Sequence, residues 1–105
     1  MDNLKDVNVD LLSNIYYEGK VISRNIFLKD GTKKTLGVML IGEYEFNTVN
    51  KENMKIITGK LNLKLKGDNQ WKLISDGMEF NISKNSTFKV EVLEIVNYVC
   101  SYFED

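Results

Sequence analysis

The sequence feature that most constrains the fold is an alternation of apolar and polar residues with a period of two. Leucines alternate with Asn and Lys in residues 61–66, and Phe or Val alternates with Lys or Glu in residues 88–92. Successive strand residues point to opposite faces of a sheet, so this pattern is typical of strands with one buried and one solvated face. The chain has no proline, which leaves Gly, Asn and Asp to make the turns.

Turn signals separate short apolar runs along most of the chain. The Asp30-Gly31 and Asp76-Gly77 pairs predict tight turns, and residues 54–65 are interpreted as a hairpin about Gly59. Roughly seven to ten short strands without a long helix indicate an all-β sandwich, barrel or jelly roll.

A length of 105 residues predicts a single domain over residues 1–105. Residues 1–14 show no clean period and are interpreted as an N-terminal arm or an extra strand, with the barrel in residues 15–103.

Composition excludes several classes of function. The net charge is -1, and Arg24 is the only arginine among 14 basic residues, so neither nucleic acid nor an anionic membrane is an expected partner. The absence of histidine excludes Ser-His and Cys-His hydrolases. Cys100, the only cysteine, cannot form an intramolecular disulfide and is expected to be buried and inert. Without a leader or a long apolar run, the expected location is cytoplasmic.

The stretch from residue 37 to residue 61 carries the clearest candidate site. It places Glu43, Glu45 and Glu52 between glycines at positions 37, 42 and 59. Carboxylates between two strand-like runs indicate a site on a β scaffold.

Two spacings in the chain resemble the signatures of the cupin superfamily. In the first, Gly37 is followed after five residues by Glu43-Tyr44-Glu45, and Glu52 is followed after six residues by Gly59. In the second, which begins at Gly77, Phe88 takes the place of the third histidine. The resemblance implies a cupin-type double-stranded β-helix, a jelly-roll barrel, that lacks the metal-binding histidines.

A narrower resemblance extends from Tyr17 to Tyr102. It rests on YYEGKV at 16–21, GVM at 37–39, GEYEF at 42–46, TGKL at 58–61, Gly77-x-x-Phe80 and Tyr98-x-Cys100-x-Tyr102. In order and spacing these strings resemble the pyrimidine/purine nucleoside phosphorylases, a family of small single-domain cupins. The resemblance implies phosphorolysis of purine and pyrimidine nucleosides to free base and ribose 1-phosphate, with inorganic phosphate as co-substrate and no cofactor or metal.

Phosphate needs fixed cations or backbone N–H groups. Lys33 occupies a position where the family usually has arginine, and Lys34 and Arg24 are the other candidate phosphate-binding residues. The alternative is that all three are solvated hairpin charges.

Glu43 is the candidate catalytic residue, since it holds the first ligand position of the cupin signature and is expected to point into the barrel. It could orient ribose hydroxyls, stabilise positive charge at the sugar or donate a proton to the departing base. Glu45 has the same facing and is assigned to base or ribose binding. Glu52 is interpreted as a surface or turn residue.

Aromatic side chains are the candidate base-stacking residues, because stacking tolerates any base. The candidates are Tyr44, Phe46, Phe80 and Phe88, and at least two of these are expected to belong only to the core.

Two other functions stay open at this point. One is a cupin that binds a hard metal ion through Glu43, Glu45 and Glu52. The other is a non-catalytic protein that binds a nucleoside or sugar. Cupins commonly pair through sheet edges, and a tyrosine-rich last strand is compatible with such pairing, so the resemblance implies a homodimer.

Overall fold

Eight β-strands and one short 3-10 turn (Tyr17–Gly19) form residues 3–104, the part of the chain that the computed structural model describes. The strands are β1 (Asn8–Tyr16), β2 (Val21–Phe27), β3 (Lys33–Met39), β4 (Gly42–Asn47), β5 (Lys51–Leu65), β6 (Lys72–Ser75), β7 (Glu79–Ile82) and β8 (Thr87–Phe103). The all-β prediction is confirmed. Residues 8–14, part of the segment interpreted as an N-terminal arm or an extra strand, lie within β1. In this part of the chain no helix is long and apolar enough to cross a lipid bilayer.

The two longest strands, β5 and β8, form the centre of the fold. They pair antiparallel along almost their whole length. On the other side of β8, β3 pairs with its C-terminal half and β4 with its N-terminal half. On the other side of β5, β7 pairs with the N-terminal half and β6 with the C-terminal half. Two sheets therefore share the β5–β8 pair, as expected for the predicted jelly roll. The main strand path among residues 3–104 is β1-β2-β3-β8-β5-β6, with β1 and β6 at its ends.

Gly59 marks the bend of the shared pair. The prediction of a hairpin about Gly59 is wrong, because β5 runs unbroken from Lys51 to Leu65. The pairing with β8 shifts register around this point, and Gly59 has a φ of 109°. Glycine allows a left-handed backbone here without a steric cost, so the strand bends and continues instead of reversing.

The two Asp-Gly turns have different roles. Gly31, with a φ of 86°, closes the predicted hairpin between β2 and β3. Gly77, with a φ of 82°, connects β6 to β7, and these two strands pair with opposite halves of β5. The second turn therefore carries the chain from one sheet to the other.

The core lies between the inner faces of the two sheets. Of the residues that the period of two predicts to face inward, Leu65 is half-buried and packs against the core, and the others are buried, namely Leu61, Leu63, Phe88, Val90 and Val92. Their polar neighbours in the sequence are more exposed. The same core continues into the other halves of β5 and β8, where Ile56 and Val96 are fully buried.

Replacing Gly59 with alanine is expected to destabilise the fold by at least about 3 kcal/mol. The left-handed φ costs an L-residue roughly 1–2 kcal/mol, and a new Cβ would also overlap the carbonyl oxygen of Ile95. Gly77→Ala is the matched control, because its φ is similarly positive but no atom lies within 4 Å of the added Cβ. Urea denaturation measures both variants, and equal losses would contradict the importance of the contact with β8.

Candidate functional site

A cavity of about 570 Å³ borders the apolar core, and the two share Val21, Met39, Met54, Phe88, Tyr98 and Cys100. Its lining comes from the 3-10 turn, the loop that follows β4, and strands β1, β2, β3, β4, β5 and β8. This volume is within the range of about 300–1,000 Å³ that small-molecule sites occupy. The cavity has a polar wall and an aromatic wall.

The polar wall is built by β3, β8 and the N-terminal half of β5. Thr35 is the register partner of Cys100, and Glu52 is the register partner of Tyr102. Lys33 lies two residues before Thr35 and therefore shares its face of β3. Three adjacent strands thus present one row of polar side chains to the cavity.

Contacts within this wall connect its members in pairs. The hydroxyl oxygens of Thr35 and Tyr102 are 3.1 Å apart. The Cys100 thiol donates a hydrogen bond to Glu52 Oε1 at 3.4 Å. Lys33 Nζ lies 5.0 Å from the centroid of the Tyr102 ring, a cation–π distance. The wall therefore combines one cation, one carboxylate, two hydroxyl groups and a thiol.

The ionisation of the wall follows from its burial. Burial raises the pKa of Glu52, while the hydrogen bond from Cys100 and the positive charge of Lys33 oppose this shift. Burial, together with the charge of Glu52, raises the pKa of the Cys100 thiol to about 12. Burial also raises the pKa of Tyr102. At neutral pH the thiol and the phenol therefore keep their protons.

Gly37 allows the polar wall to include Tyr98. Gly37 is the register partner of Tyr98, and a Cβ at position 37 would overlap the tyrosine ring. The ring therefore lies over the glycine backbone, towards Ser23 on β2. Tyr98, like Ser23, is buried and lines the cavity.

The aromatic wall consists of Tyr17, Phe46 and Phe88. The centroids of the Phe46 and Phe88 rings are 5.4 Å apart, and those of Tyr17 and Phe46 are 5.8 Å apart. The Tyr17 hydroxyl accepts a hydrogen bond from the Glu45 N–H at 3.0 Å and donates one to the Glu45 carbonyl oxygen. Tyr17 has a positive φ of 51°, and 43% of its surface remains exposed. The two hydrogen bonds with the Glu45 backbone hold its ring at the edge of the cavity.

Four of the candidate binding residues predicted from the sequence line the cavity, namely Lys33, Glu45, Phe46 and Phe88. Glu45 has an exposed side chain, and its backbone holds Tyr17. The expectation that Cys100 is buried is confirmed.

The side chain of Glu43 lies outside the lining of the cavity, so the prediction that it points inward is wrong. It is exposed and lies opposite Glu91, while Tyr44 and Phe46 turn inward. The two aromatic side chains gain more from burial than two carboxylates would, so they decide which face of β4 is inside.

The other two predicted phosphate-binding residues also lie outside the lining. Lys34 follows Lys33 on β3 and therefore faces the opposite side of the sheet. Arg24 is exposed, and its Nη1 atom donates a hydrogen bond to the carbonyl oxygen of Leu11 at 2.6 Å. Among the three cations, only Lys33 is positioned to meet a ligand in the cavity.

Tyr44 and Phe80 belong to the core and not to the lining of the cavity. Tyr44 is buried, and its hydroxyl donates a hydrogen bond to the carbonyl oxygen of Leu40 at 2.8 Å. Phe80 is also buried, and its ring packs against Phe88 with 6.3 Å between centroids. Phe88 is in contact with both the core and the cavity.

Glu52 is the main residue that the sequence interpretation missed. It is a half-buried strand residue that lines the cavity, and not a surface or turn residue. The sequence does contain a signal for this facing, because Glu52, Met54 and Ile56 are spaced two residues apart and so share one face of the strand, and Met54 and Ile56 are both buried. The incorrect hairpin about Gly59 concealed this pattern by starting the strand at residue 54.

The three glutamates proposed as metal ligands do not come together. Within residues 3–104 there is no group of three or more His, Cys, Asp or Glu side chains arranged to hold a metal ion. Glu43 lies on the outer face of β4, whereas Glu52 lines the cavity from β5. The carboxylate-metal alternative therefore lacks its ligand set in this part of the chain.

Comparisons with known proteins agree in sequence and in fold. A protein-family model described as pyrimidine/purine nucleoside phosphorylase matches residues 11–102. A protein of that name from Chlorobium chlorochromatii is 45% identical over 102 residues, covering 97% of this chain and 98% of the relative. Another from Pelobacter propionicus is 44% identical over 104 residues, covering 99% and 100%. The crystal structure of an Acinetobacter protein of unknown function matches with a TM-score of 0.93 and 37% identity, covering 96% of this chain and 98% of that chain.

Glu52→Gln is expected to raise the melting temperature near pH 8 and to lose this advantage below about pH 4. Burial raises the pKa of Glu52 in the folded chain, so the folded chain binds this proton more tightly than the unfolded chain. The wild-type protein therefore loses stability as the pH rises through the folded pKa, and a neutral amide does not. Thermal melts of both proteins across this pH range measure the difference. A difference that grows on acidification would contradict the assignment.

Proposed function

The chain belongs to the pyrimidine/purine nucleoside phosphorylase family, and we propose that it cleaves nucleosides with inorganic phosphate to free base and ribose 1-phosphate. The observation that carries this proposal is one cavity with two chemically different walls. A nucleoside has the same division, because its base is flat and apolar on both faces whereas its ribose carries hydroxyl groups. The aromatic wall suits the base, and the polar wall suits the ribose and the phosphate.

Lys33 is the proposed phosphate contact. Among the described residues it is the one cationic side chain in the lining of the cavity. Its ammonium group can donate charge-assisted hydrogen bonds to phosphate oxygens. Its position above Tyr102 limits the directions it can take, so phosphate is held next to the polar wall.

The aromatic wall accounts for tolerance of both purines and pyrimidines. Phe46 and Phe88 provide ring faces, and Tyr17 adds a third ring at the edge of the cavity. Stacking contributes about 1–3 kcal/mol per base and does not depend on the hydrogen-bonding pattern of the base. Specificity for one base would require polar groups facing that pattern, and the one polar group of these three side chains, the Tyr17 hydroxyl, is already bonded to the Glu45 backbone.

The proposed reaction balances without a cofactor. An oxygen of hydrogen phosphate forms a bond to C1′ of the ribose as the C1′–N bond breaks, and the bonding electron pair leaves with the base. The base gains one proton and the phosphate loses one. Positive charge develops on the ribosyl group in the transition state, and a carboxylate and a phosphate next to it stabilise that charge.

Product analysis tests the proposal directly. Uridine or adenosine is incubated with the purified protein, with and without phosphate, and the products are separated. Free base and ribose 1-phosphate are expected in equal amounts, and only when phosphate is present. Base release that does not depend on phosphate would refute phosphorolysis. A nucleoside that raises the melting temperature but is not converted would indicate the non-catalytic alternative.

Lys33→Ala is expected to raise the KM for phosphate at least about tenfold, because a hydrogen bond to a charged group is worth roughly 1.5–3 kcal/mol. The KM for the nucleoside should change much less. Lys34→Ala is the matched control, since this residue carries the same charge on the opposite face of β3. Steady-state kinetics with varied phosphate measures both variants, and equal effects of the two substitutions would exclude Lys33 as the contact.

A homodimer is the proposed assembly. Strand β1 is at one end of the main strand path, and its Leu11 and Leu12 are 90% and 84% exposed. An apolar edge strand with unpaired backbone groups is a ready surface for pairing with a second copy. Light scattering during size-exclusion chromatography is expected to give twice the monomer mass, and a monomeric mass would refute the proposal.

A further inference from the structure

Lys33 and Glu52 lie on the two strands that flank Tyr102. Glu52 is directly opposite Tyr102 in the β5–β8 pairing, and Lys33 Nζ lies over the ring of the same tyrosine. The two charges are close enough that Lys33 lowers the pKa of Glu52. An anion bound to Lys33 in this cavity therefore lies next to the carboxylate of Glu52.

This arrangement creates an electrostatic problem for any anion. Lys33 is the one cation among the described residues of the lining, so the charge of Glu52 is not offset by a second cation. An ionised carboxylate can only accept hydrogen bonds. Partial burial of Glu52 reduces the screening by water and strengthens its repulsion of a nearby negative oxygen. The repulsion becomes an attraction when a proton lies between the two oxygens.

Cys100 fixes Glu52 as a hydrogen-bond acceptor. The thiol donates to Oε1, and Cys100 is buried among the neighbouring strands. The hydrogen bond holds the carboxylate in one orientation and uses only one of its oxygens. The other oxygen retains its capacity to accept a hydrogen bond from a ligand.

We propose that Glu52 restricts the anion subsite beside Lys33 to tetrahedral oxyanions that carry a proton at neutral pH. Phosphate and arsenate belong to this class, because each keeps at least one O–H group. Sulfate has a similar shape and charge but is fully deprotonated, so it offers Glu52 no hydrogen. The inference rests on the proposed function for the position of the anion at Lys33, and it adds the protonation state that the site selects.

Isothermal titration calorimetry on the full chain tests the selectivity without requiring turnover. Phosphate and arsenate are expected to compete for one site, and sulfate should bind at least about 100-fold more weakly. A site built to hydrogen-bond a ligand O–H group rejects the analogue that lacks it by roughly 10⁴–10⁵-fold when it is fully buried. A smaller factor is expected here because Glu52 is half-buried.

Glu52→Gln is expected to reduce the preference for phosphate over sulfate to less than about tenfold, because the amide N–H₂ group donates to either anion. Glu79→Gln is the matched control, since Glu79 is exposed on β7 and lies outside this cavity, and it should keep the wild-type preference. Thermal melts establish that each variant is folded. Glu52→Ala replaces the amide variant if the latter does not melt cooperatively, and it too should lose most of the preference.

Three results would overturn the inference. They are wild-type binding of sulfate comparable to that of phosphate, no measurable binding of phosphate, and an unchanged preference in the folded Glu52 variant. A failure of the proposed function looks different, because phosphate would still bind in preference to sulfate while no ribose 1-phosphate is formed. Conversely, phosphorolysis that sulfate inhibits in proportion to its concentration, near the KM of phosphate, would refute only the selectivity.

Discussion

The antiparallel pairing of β5 with β8 is the interaction on which the rest of the structure depends. Strands β3, β4, β6 and β7 each attach to one half of this pair. Because the pair bends at Gly59, its two halves belong to different sheets, and the inner faces of those sheets oppose each other. Both halves contribute to the apolar core, and one of them also carries Glu52, Cys100 and Tyr102, which line the cavity. A single bent pair of strands therefore supports both the apolar core and the polar wall of the cavity.

A polar wall inside a small domain is stable only if its groups have partners. Unpaired buried polar groups cost about 1–3 kcal/mol each. Thr35 pairs with Tyr102, and Cys100 pairs with Glu52. Among residues 3–104, no buried side-chain nitrogen or oxygen lacks a hydrogen bond. Of the two charged members, Glu52 is half-buried and Lys33 is exposed, which limits the cost of desolvating their charges.

The strands could be predicted from the period of two, but the facing of particular residues could not be taken from signature spacing. A spacing such as that between Gly37 and Glu43 counts residues and does not report a bulge or a break between strands. A slip of one residue exchanges the two faces of a strand. The chain leaves β3 at Met39 and enters β4 at Gly42, where Tyr44 and Phe46 take the inner face. The facing of Glu52 is better predicted from Met54 and Ile56, which lie on the same face of β5 at intervals of two residues, because burial itself produces that pattern.

The turn that carries Tyr17 indicates that the cavity is formed before a ligand arrives. Tyr17 and Glu18 both have positive φ values, 51° and 56°, and each such residue costs of order 1–3 kcal/mol. The strain is offset by contacts of the Tyr17 ring with Tyr44 and Phe46 and by two hydrogen bonds with the Glu45 backbone. Because contacts fix both the ring and the hydroxyl group of Tyr17, this side chain has little conformational entropy to lose when a ligand binds. Binding free energy at this edge of the cavity is therefore not consumed in ordering the protein, because folding has already fixed the position of the ring.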